Sequence, residues 1–211
     1  MRRLASALVT LALTTVATAV ALIAGSPANA IPVGGWYMLV NDYYDGTSGY
    51  DGGVMWCLST NSETSPSGAG THQLYLATCD ADVPGQWWRF DGSGDTTIES
   101  WRKYSGYPYD VSGNTSPVPG GDQNTFGAFS ARSSSAKGHG WVVYTVRGGA
   151  TNRYMFENGL SGQGLSVSHN VKYTASTWRV YTSRIPSPAA PVEQQVWRFF
   201  QPVAYPPAYS A

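Results

Sequence analysis

Three tryptophans close three segments of the chain at nearly even spacing, and this recurrence restricts the fold more than any other feature. Gln86-Trp87-Trp88, His139-Gly140-Trp141 and Gln195-Val196-Trp197 put Trp88, Trp141 and Trp197 at intervals of 53 and 56 residues. Arg89-Phe90 follows the first and Arg198-Phe199 the third; Val142-Val143 follows the middle one. Upstream of each lies a strand-like run: Leu74–Cys79, Phe126–Ala131 and Trp178–Ser183. Further upstream come Cys57–Thr60, Pro108–Val111 and Gly164–Val167, whose first residues precede the closing tryptophans by 31, 33 and 33 positions. The units also open alike, at Tyr37-Met38-Leu39-Val40-Asn41 and Tyr154-Met155-Phe156-Glu157-Asn158, with Thr97–Trp101 as a weaker middle copy. Four strand-like runs per unit predict about twelve strands. One such unit cannot bury its apolar face alone, so the three must share a core, to which Trp88, Trp141 and Trp197 contribute large equivalent pieces.

Composition agrees with an all-β chain. Only 12% of the residues are charged, too few for a coiled coil or a charge-driven disordered chain, while 24 glycines and 13 prolines supply turns. A formal net charge of zero without a basic run excludes nucleic acid as a partner.

The first thirty residues read as a secretory signal peptide. Arg2 and Arg3 give the positive start, an apolar stretch runs from Leu4 to Ala24, and Ala28-Asn29-Ala30 fits a cleavage site. An uncleaved anchor is the competing reading; the threonines within the stretch and the Pro27 break favour cleavage, a bacterial general-secretion route and no stable membrane insertion afterwards. Residues 31–200 then form one domain with repeats over about 35–92, 93–146 and 147–200, and 201–211 an extended tail. Export permits a disulfide, for which Cys57 and Cys79 are the only candidates. Free thiols or a zinc pair are the alternatives, but no CxxC and no paired histidines exist to complete a metal site.

The recurrent order C-L-x-x, L-x-L-x-x-C, Q-x-W-x-F resembles that of the ricin B-type β-trefoil lectins. The first copy carries it from Cys57-Leu58 through Leu74-Tyr75-Leu76 and Cys79 to Gln86-Trp87-Trp88-Arg89-Phe90; the third keeps Gln195-Val196-Trp197-Arg198-Phe199; the middle one has His139 for Gln. The resemblance implies a pseudo-threefold β-trefoil with up to three shallow pockets for galactose-type or related sugars. In such pockets a carboxylate accepts from adjacent hydroxyls and a pyranose packs its C–H face on an aromatic ring. Carried over, it gives the first repeat Ser59 at the acid position and Ala77 at the platform, which would leave that pocket inactive. The second receives Asp110 as acid, Phe129 as platform and His139 beside them. The third receives Ser166, Arg179, Tyr181, Gln194 and Gln195. The expected function is non-catalytic carbohydrate binding, outside the cell and without a cofactor.

Other classes have less behind them. A degenerate trefoil that binds a protein partner, for example as a protease inhibitor, shares the architecture but does not require recurrent Q-x-W. A small glycan-acting enzyme would need a carboxylate pair across a cleft, and Asp80 and Asp82 read better as turn residues. Asn158–Gly162 lacks the second glycine of a nucleophile elbow, because Gln163 stands there. The run starting at Asp91 has Thr96 and Arg102 where a calcium loop needs Gly and Glu. Asn114-Thr115-Ser116 is a glycosylation sequon, of small weight in a bacterial chain.

Overall fold

In the computed structural model the described residues are 33–45, 53–65, 68–92, 95–118, 125–146, 152–186, 192–203 and 206. The segment read as a signal peptide and most of the residues read as a C-terminal tail lie outside them. Twelve strands are described: β1 (Trp36–Asp45), β2 (Met55–Thr64), β3 (Thr71–Thr78), β4 (Trp87–Phe90), β5 (Ile98–Ser100), β6 (Tyr109–Pro117), β7 (Thr125–Arg132), β8 (Trp141–Thr145), β9 (Arg153–Asn158), β10 (Gly164–Thr174), β11 (Thr177–Ser183) and β12 (Trp197–Phe200). A one-turn 3-10 helix precedes the last strand of each repeat, at Pro84–Gln86, Lys137–His139 and Glu193–Gln195. Among the described residues no helix is long and apolar enough to cross a membrane.

The repeat is visible bond by bond. The indole N–H of Trp88 donates to the Leu58 carbonyl at 3.0 Å, that of Trp141 to Val111 at 2.9 Å and that of Trp197 to Leu165 at 2.9 Å. All three rings are fully buried, as are Leu39, Ile98 and Phe156, which stand at matching places in β1, β5 and β9. Opposite each tryptophan sits a buried polar residue: Ser100 across from Trp88, Asn158 from Trp141 and Asn41 from Trp197. Asn158 Nδ2 donates to the Gly138 carbonyl at 2.8 Å, and Asn41 Nδ2 to those of Gln194 and Val196 at 3.1 and 3.2 Å. Each amide thus ties the opening strand of a repeat to the 3-10 turn of another, satisfying carbonyls that would otherwise be orphaned in the interior.

The long hairpins β2–β3, β6–β7 and β10–β11 break register after Thr60, Gly113 and Val167, and β10–β11 shifts a second time after Lys172. The residue following the first break of each hairpin caps it: Asn61 Oδ1 accepts the Glu63 N–H, Asn114 Oδ1 that of Ser116, and Ser168 Oγ that of Asn170. The bulges bring the hairpin backbone hard against the 3-10 turns. A Cβ on Gly85 would lie 2.2 Å from the Thr60 carbonyl oxygen, and one on Gly138 2.5 Å from that of Gly113, so glycine is required at both contacts.

The β-trefoil implied by the family resemblance is corrected by the strand pairing. The twelve strands form one sheet, and β9 pairs with β10 to close a circuit of ten of them, in the order β10, β11, β3, β7, β6, β5, β4, β1, β12, β9. Only β2 and β8 lie off this circuit, β2 against β1 and β3, and β8 against β9. The cause is the length of the hairpins. Their inner strands β3, β7 and β11 reach one another and pair mutually, so the hydrogen-bonded path runs through all three hairpins instead of leaving them as separate caps. What stands is an all-β chain in three similar units, closed into a barrel with few free edges.

Candidate functional site

The indole bonds index the three hairpins against one another. Leu58, Val111 and Leu165 are equivalent, and they face Leu76, Ser130 and Thr182 across their hairpins. One residue on, Ser59 faces Tyr75, Ser112 faces Phe129 and Ser166 faces Tyr181. This register differs by two from the one read off the sequence. Asp110 matches Cys57 and Gly164 rather than Ser59 and Ser166, and the aromatic position of the first repeat is Tyr75, not Ala77. A two-residue shift keeps every side chain on its own face of the strand, so alternation along the chain cannot reveal it.

Asp110 is therefore a buried residue, 3% exposed, with its Oδ2 3.4 Å from Nδ1 of the equally buried His139. His139 ends its 3-10 turn where the outer repeats have Gln86 and Gln195. Those glutamines fasten the end of the preceding strand to the turn. Gln86 Nε2 donates to the Thr78 carbonyl at 2.9 Å, and its Oε1 accepts the Asp80 N–H at 2.8 Å. Gln195 Nε2 donates to the carbonyls of Ser183 and Arg184 at 3.2 and 3.0 Å and to Ser183 Oγ at 2.8 Å. Both are buried, so their amide groups serve the fold. Phe129 and Ser166 are buried as well; Gln194, Arg179 and Tyr181 are half-buried.

In the first repeat the two cysteines form the disulfide Cys57–Cys79. With Gln86 it fixes the loop after β3, and Asp80 Oδ1 closes a tight turn by accepting the Asp82 N–H at 2.9 Å. This loop walls an open cleft of about 540 Å³, bordered by Tyr75, Thr78, Asp80 and Gln86 and by Ser176 and Thr177 from the β10–β11 hairpin. Tyr75 stacks on Tyr173, centroids 5.4 Å apart and planes 24° from parallel, which sets its ring. Asp80 is exposed and Tyr75 half-buried. Another cleft, of about 340 Å³, lies in the middle repeat against Asp95, Thr97, Ser134, Lys137 and His139; Asp110 stands behind His139 and does not border it. Both clefts combine a carboxylate with hydroxyls, and the first adds an aromatic ring, a set suited to a polyhydroxylated ligand with one apolar face. Tyr75 and Asp80 border this cleft, and the sequence reading did not place either of them in a candidate site. The indole-to-carbonyl spacing was the signal for Tyr75, whereas Asp80 has the pattern of a turn residue, which it also is.

Among the described residues no group of three or more His, Cys, Asp or Glu side chains lies close enough to hold a metal ion. The Asp91 carboxylate closes its own turn, accepting from Thr96 Oγ1 and from the Thr97 N–H at 3.0 and 3.2 Å.

No protein-family model and no curated protein matches the sequence. Solved structures do. The designed threefold-symmetric protein ThreeFoil superposes with a TM-score of 0.55 at 16% identity, over 79% of this chain and 98% of its own. The SDF2-like protein of Arabidopsis thaliana gives 0.56 at 12% identity, over 84% and 98%. The exo-β-1,3-galactanase 1,3Gal43A of Clostridium thermocellum gives 0.51 at 13% identity, over 81% of this chain but 31% of the enzyme. At these identities the likeness is one of fold, and it carries the threefold character with it.

Proposed function

We propose that the protein is an exported, non-catalytic carbohydrate-binding protein, a divergent relative of the ricin B-type lectins, taking galactose-type or related glycans in shallow surface clefts. The observation that carries this reading is the first-repeat cleft. There a stacked tyrosine, an exposed carboxylate and the hydroxyls of Thr78, Ser176 and Thr177 converge on one open space. Tyr75 offers the face for pyranose C–H groups, and Asp80 accepts from vicinal hydroxyls. The middle cleft is the other contact point. There Lys137 supplies a donor, Asp95 an acceptor and His139 the edge of its imidazole, with the Asp110 carboxylate against the His139 Nδ1. Serines occupy all three places where the family carries its acid, which moves the carboxylate role to Asp80 and Asp95. The disulfide is consistent with export. Open clefts bury little of a ligand, so single-site affinity is weak and binding to a polymer gains from two clefts on one body.

The test is a glycan array with the purified protein, followed by competition with the free sugar. Specific, competable binding that falls at least about tenfold in Asp80→Asn and in Tyr75→Ala supports the reading; loss of one charge-assisted hydrogen bond or of one stacking face is worth that much. A folded, disulfide-intact sample that binds no glycan, or binding that neither substitution alters, overturns it.

A further inference from the structure

We infer that the loop between β5 and β6, in the middle repeat, is a docking site for an anionic polysaccharide, one whose chain carries carboxylate or sulfate groups. The loop is itself a tight hairpin. Tyr104 and Tyr107 exchange both backbone hydrogen bonds, at 3.3 and 3.1 Å, and Ser105 and Gly106 between them have positive φ, 52° and 77°. Two such residues make the turn whose twist suits a two-residue hairpin. Its ends are tied down as well. The Arg102 N–H donates to Ser100 Oγ at 3.1 Å, and the Pro108 carbonyl accepts the Ser133 N–H at 3.1 Å. The Tyr104 hydroxyl donates to the Asn61 carbonyl of the first-repeat hairpin.

The two tyrosines of this loop hold two guanidinium groups. The Arg132 guanidinium carbon lies 3.6 Å from the centre of the Tyr107 ring, and that of Arg102 lies 5.3 Å from the centre of the Tyr104 ring. Tyr107 is 45% exposed, and Arg132 is exposed with it. Stacking of this kind positions a cation without neutralising it, because the ring meets the face of the planar group and leaves the N–H donors at its edge. Among the described residues neither guanidinium is within ion-pair distance of a carboxylate. Glu99 is engaged by Arg89, Asp110 by His139, and Asp42 by Arg153 and Arg198. The Glu63 carboxylate, on the neighbouring hairpin, accepts the Tyr173 hydroxyl. The charge of Arg102 is felt at His72, whose ring stacks on Tyr104: burial is the main cause of its lowered pKa, and Arg102 adds to it.

Two cations fixed on separate rings of one rigid turn match anionic groups spaced along a chain better than they match a single small anion. Each contact is open to water and weak by itself, and a polymer that reaches both gains because the turn already holds them in place. A polysaccharide suits this surface better than a nucleic acid does. Arg132 lies over the Tyr107 face on which a base would stack, and the formal net charge of the chain is zero. The choice of polymer rests on the carbohydrate reading given above, whereas the residues do not: neither Arg102, Tyr104, Tyr107 nor Arg132 borders either of the two glycan clefts.

The experiment titrates isotope-labelled protein with oligogalacturonate, sulfated dextran oligomers, neutral dextran oligomers and a single-stranded oligonucleotide, and follows the backbone amides and the His72 ring by NMR. Saturable, salt-sensitive shifts at Gly106, Tyr107 and His72 are expected with an anionic sugar, at least about tenfold tighter than with neutral dextran. A response to oligogalacturonate alone assigns carboxylate as the recognised group, one to sulfated dextran alone assigns sulfate, and either supports the inference. Arg102→Gln and Arg132→Gln should each weaken binding about threefold and together about tenfold. Tyr107→Leu, which keeps the Arg132 charge and removes the ring that positions it, should act as Arg132→Gln does, so the result does not hang on one variant. No response to either anionic sugar, an equal response to neutral dextran, tighter binding of the oligonucleotide, shifts located elsewhere, or unchanged affinity in the double variant overturns the inference. Asp80→Asn serves as the reference: it should leave the anionic sugar untouched while reducing glycan binding in the first-repeat cleft, so the two sites fail separately.

Discussion

Replacing each of the three closing tryptophans by phenylalanine should cost the same stability, and the structure sets the amount. Every one of these indoles is fully buried and donates to a hairpin carbonyl at 2.9–3.0 Å. Phenylalanine keeps most of the ring but removes the donor, and leaving a buried carbonyl with one partner fewer costs about 1–3 kcal/mol. The smaller ring also leaves a void of roughly 40 Å³, which at about 24 cal/mol per Å³ adds about 1 kcal/mol. Trp88→Phe, Trp141→Phe and Trp197→Phe should therefore each lose about 2–4 kcal/mol, agreeing within about 1 kcal/mol. Urea unfolding followed by far-ultraviolet circular dichroism reads this without relying on the fluorophores being changed, and unaltered m-values would show that only stability moved. If one of the three costs under about 1 kcal/mol while another costs over about 3 kcal/mol, a spread wider than these terms allow, the indoles are not equivalent members of a shared core. The register built on their carbonyl bonds then falls with that equivalence.

Further outcomes follow from other contacts. The Cys57–Cys79 bond closes a 22-residue separation, so the chain-entropy relation gives about 3 kcal/mol and a Tm drop of about 6–12 °C on reduction; an unchanged melting curve would contradict it. Burial pushes the Tyr44 phenol far above its ordinary value, with the neighbouring Tyr43 and Tyr181 adding to it, and burial raises Tyr154 as well. The folded state then holds protons that the unfolded chain releases near pH 10, so the stability these groups confer is complete below about pH 10 and lost as pH rises beyond it. Phenolate absorbance should appear together with loss of structure; ordinary titration in a still-folded protein would refute the burial argument. His72, stacked on Tyr104 at 3.7 Å, is shifted the other way, its pKa lowered by burial despite the Ser62 carbonyl beside it. Its contribution is complete above about pH 6.5 and lost as pH falls through the depressed value, which a proton NMR titration of the ring checks directly.

How far the sequence could be read depended on which distances lie within one repeat. The interval from each closing tryptophan back to its hairpin is local and set by one hydrogen bond, so the repeats, the strand count and the buried role of Trp88, Trp141 and Trp197 were legible from spacing. The register inside the hairpins was not. The pair Ser59–Tyr75 and the pair Ser112–Phe129 are the same element, yet moving one strand by two residues leaves inward and outward positions unchanged, so Asp110 and Ala77 fell into places that belong to Ser112 and Tyr75. Closure of the ten-strand circuit was equally hidden. It depends on contacts such as Gln73 with Phe129 and Arg179 with Tyr75, between segments separated by whole repeats, and no local pattern records them.

The corrected register shows what the three copies hold in common and what each has replaced. At the strand end that must be fastened to the 3-10 turn, the first repeat uses Gln86 together with the disulfide from Cys57. The third uses Gln195 with three acceptors and has Gly164 where the cysteine would stand. The middle one has Asp110 and His139, a buried acid against an imidazole, in the places of the cysteine and the glutamine. The mechanical requirement is the same in every copy, since each strand end would otherwise carry orphaned carbonyls into the interior. The chemistry that meets it differs, and so does what each loop presents to solvent: a carboxylate at Asp80 in the first, a lysine and a histidine edge in the middle one. A repeated frame with unequal fastenings can therefore hold three unlike surfaces at fixed geometry. Under the proposed carbohydrate-binding reading, ligand discrimination is to be sought in the differences among the repeats, at Asp80, Lys137 and His139, rather than in the tryptophan motif they share.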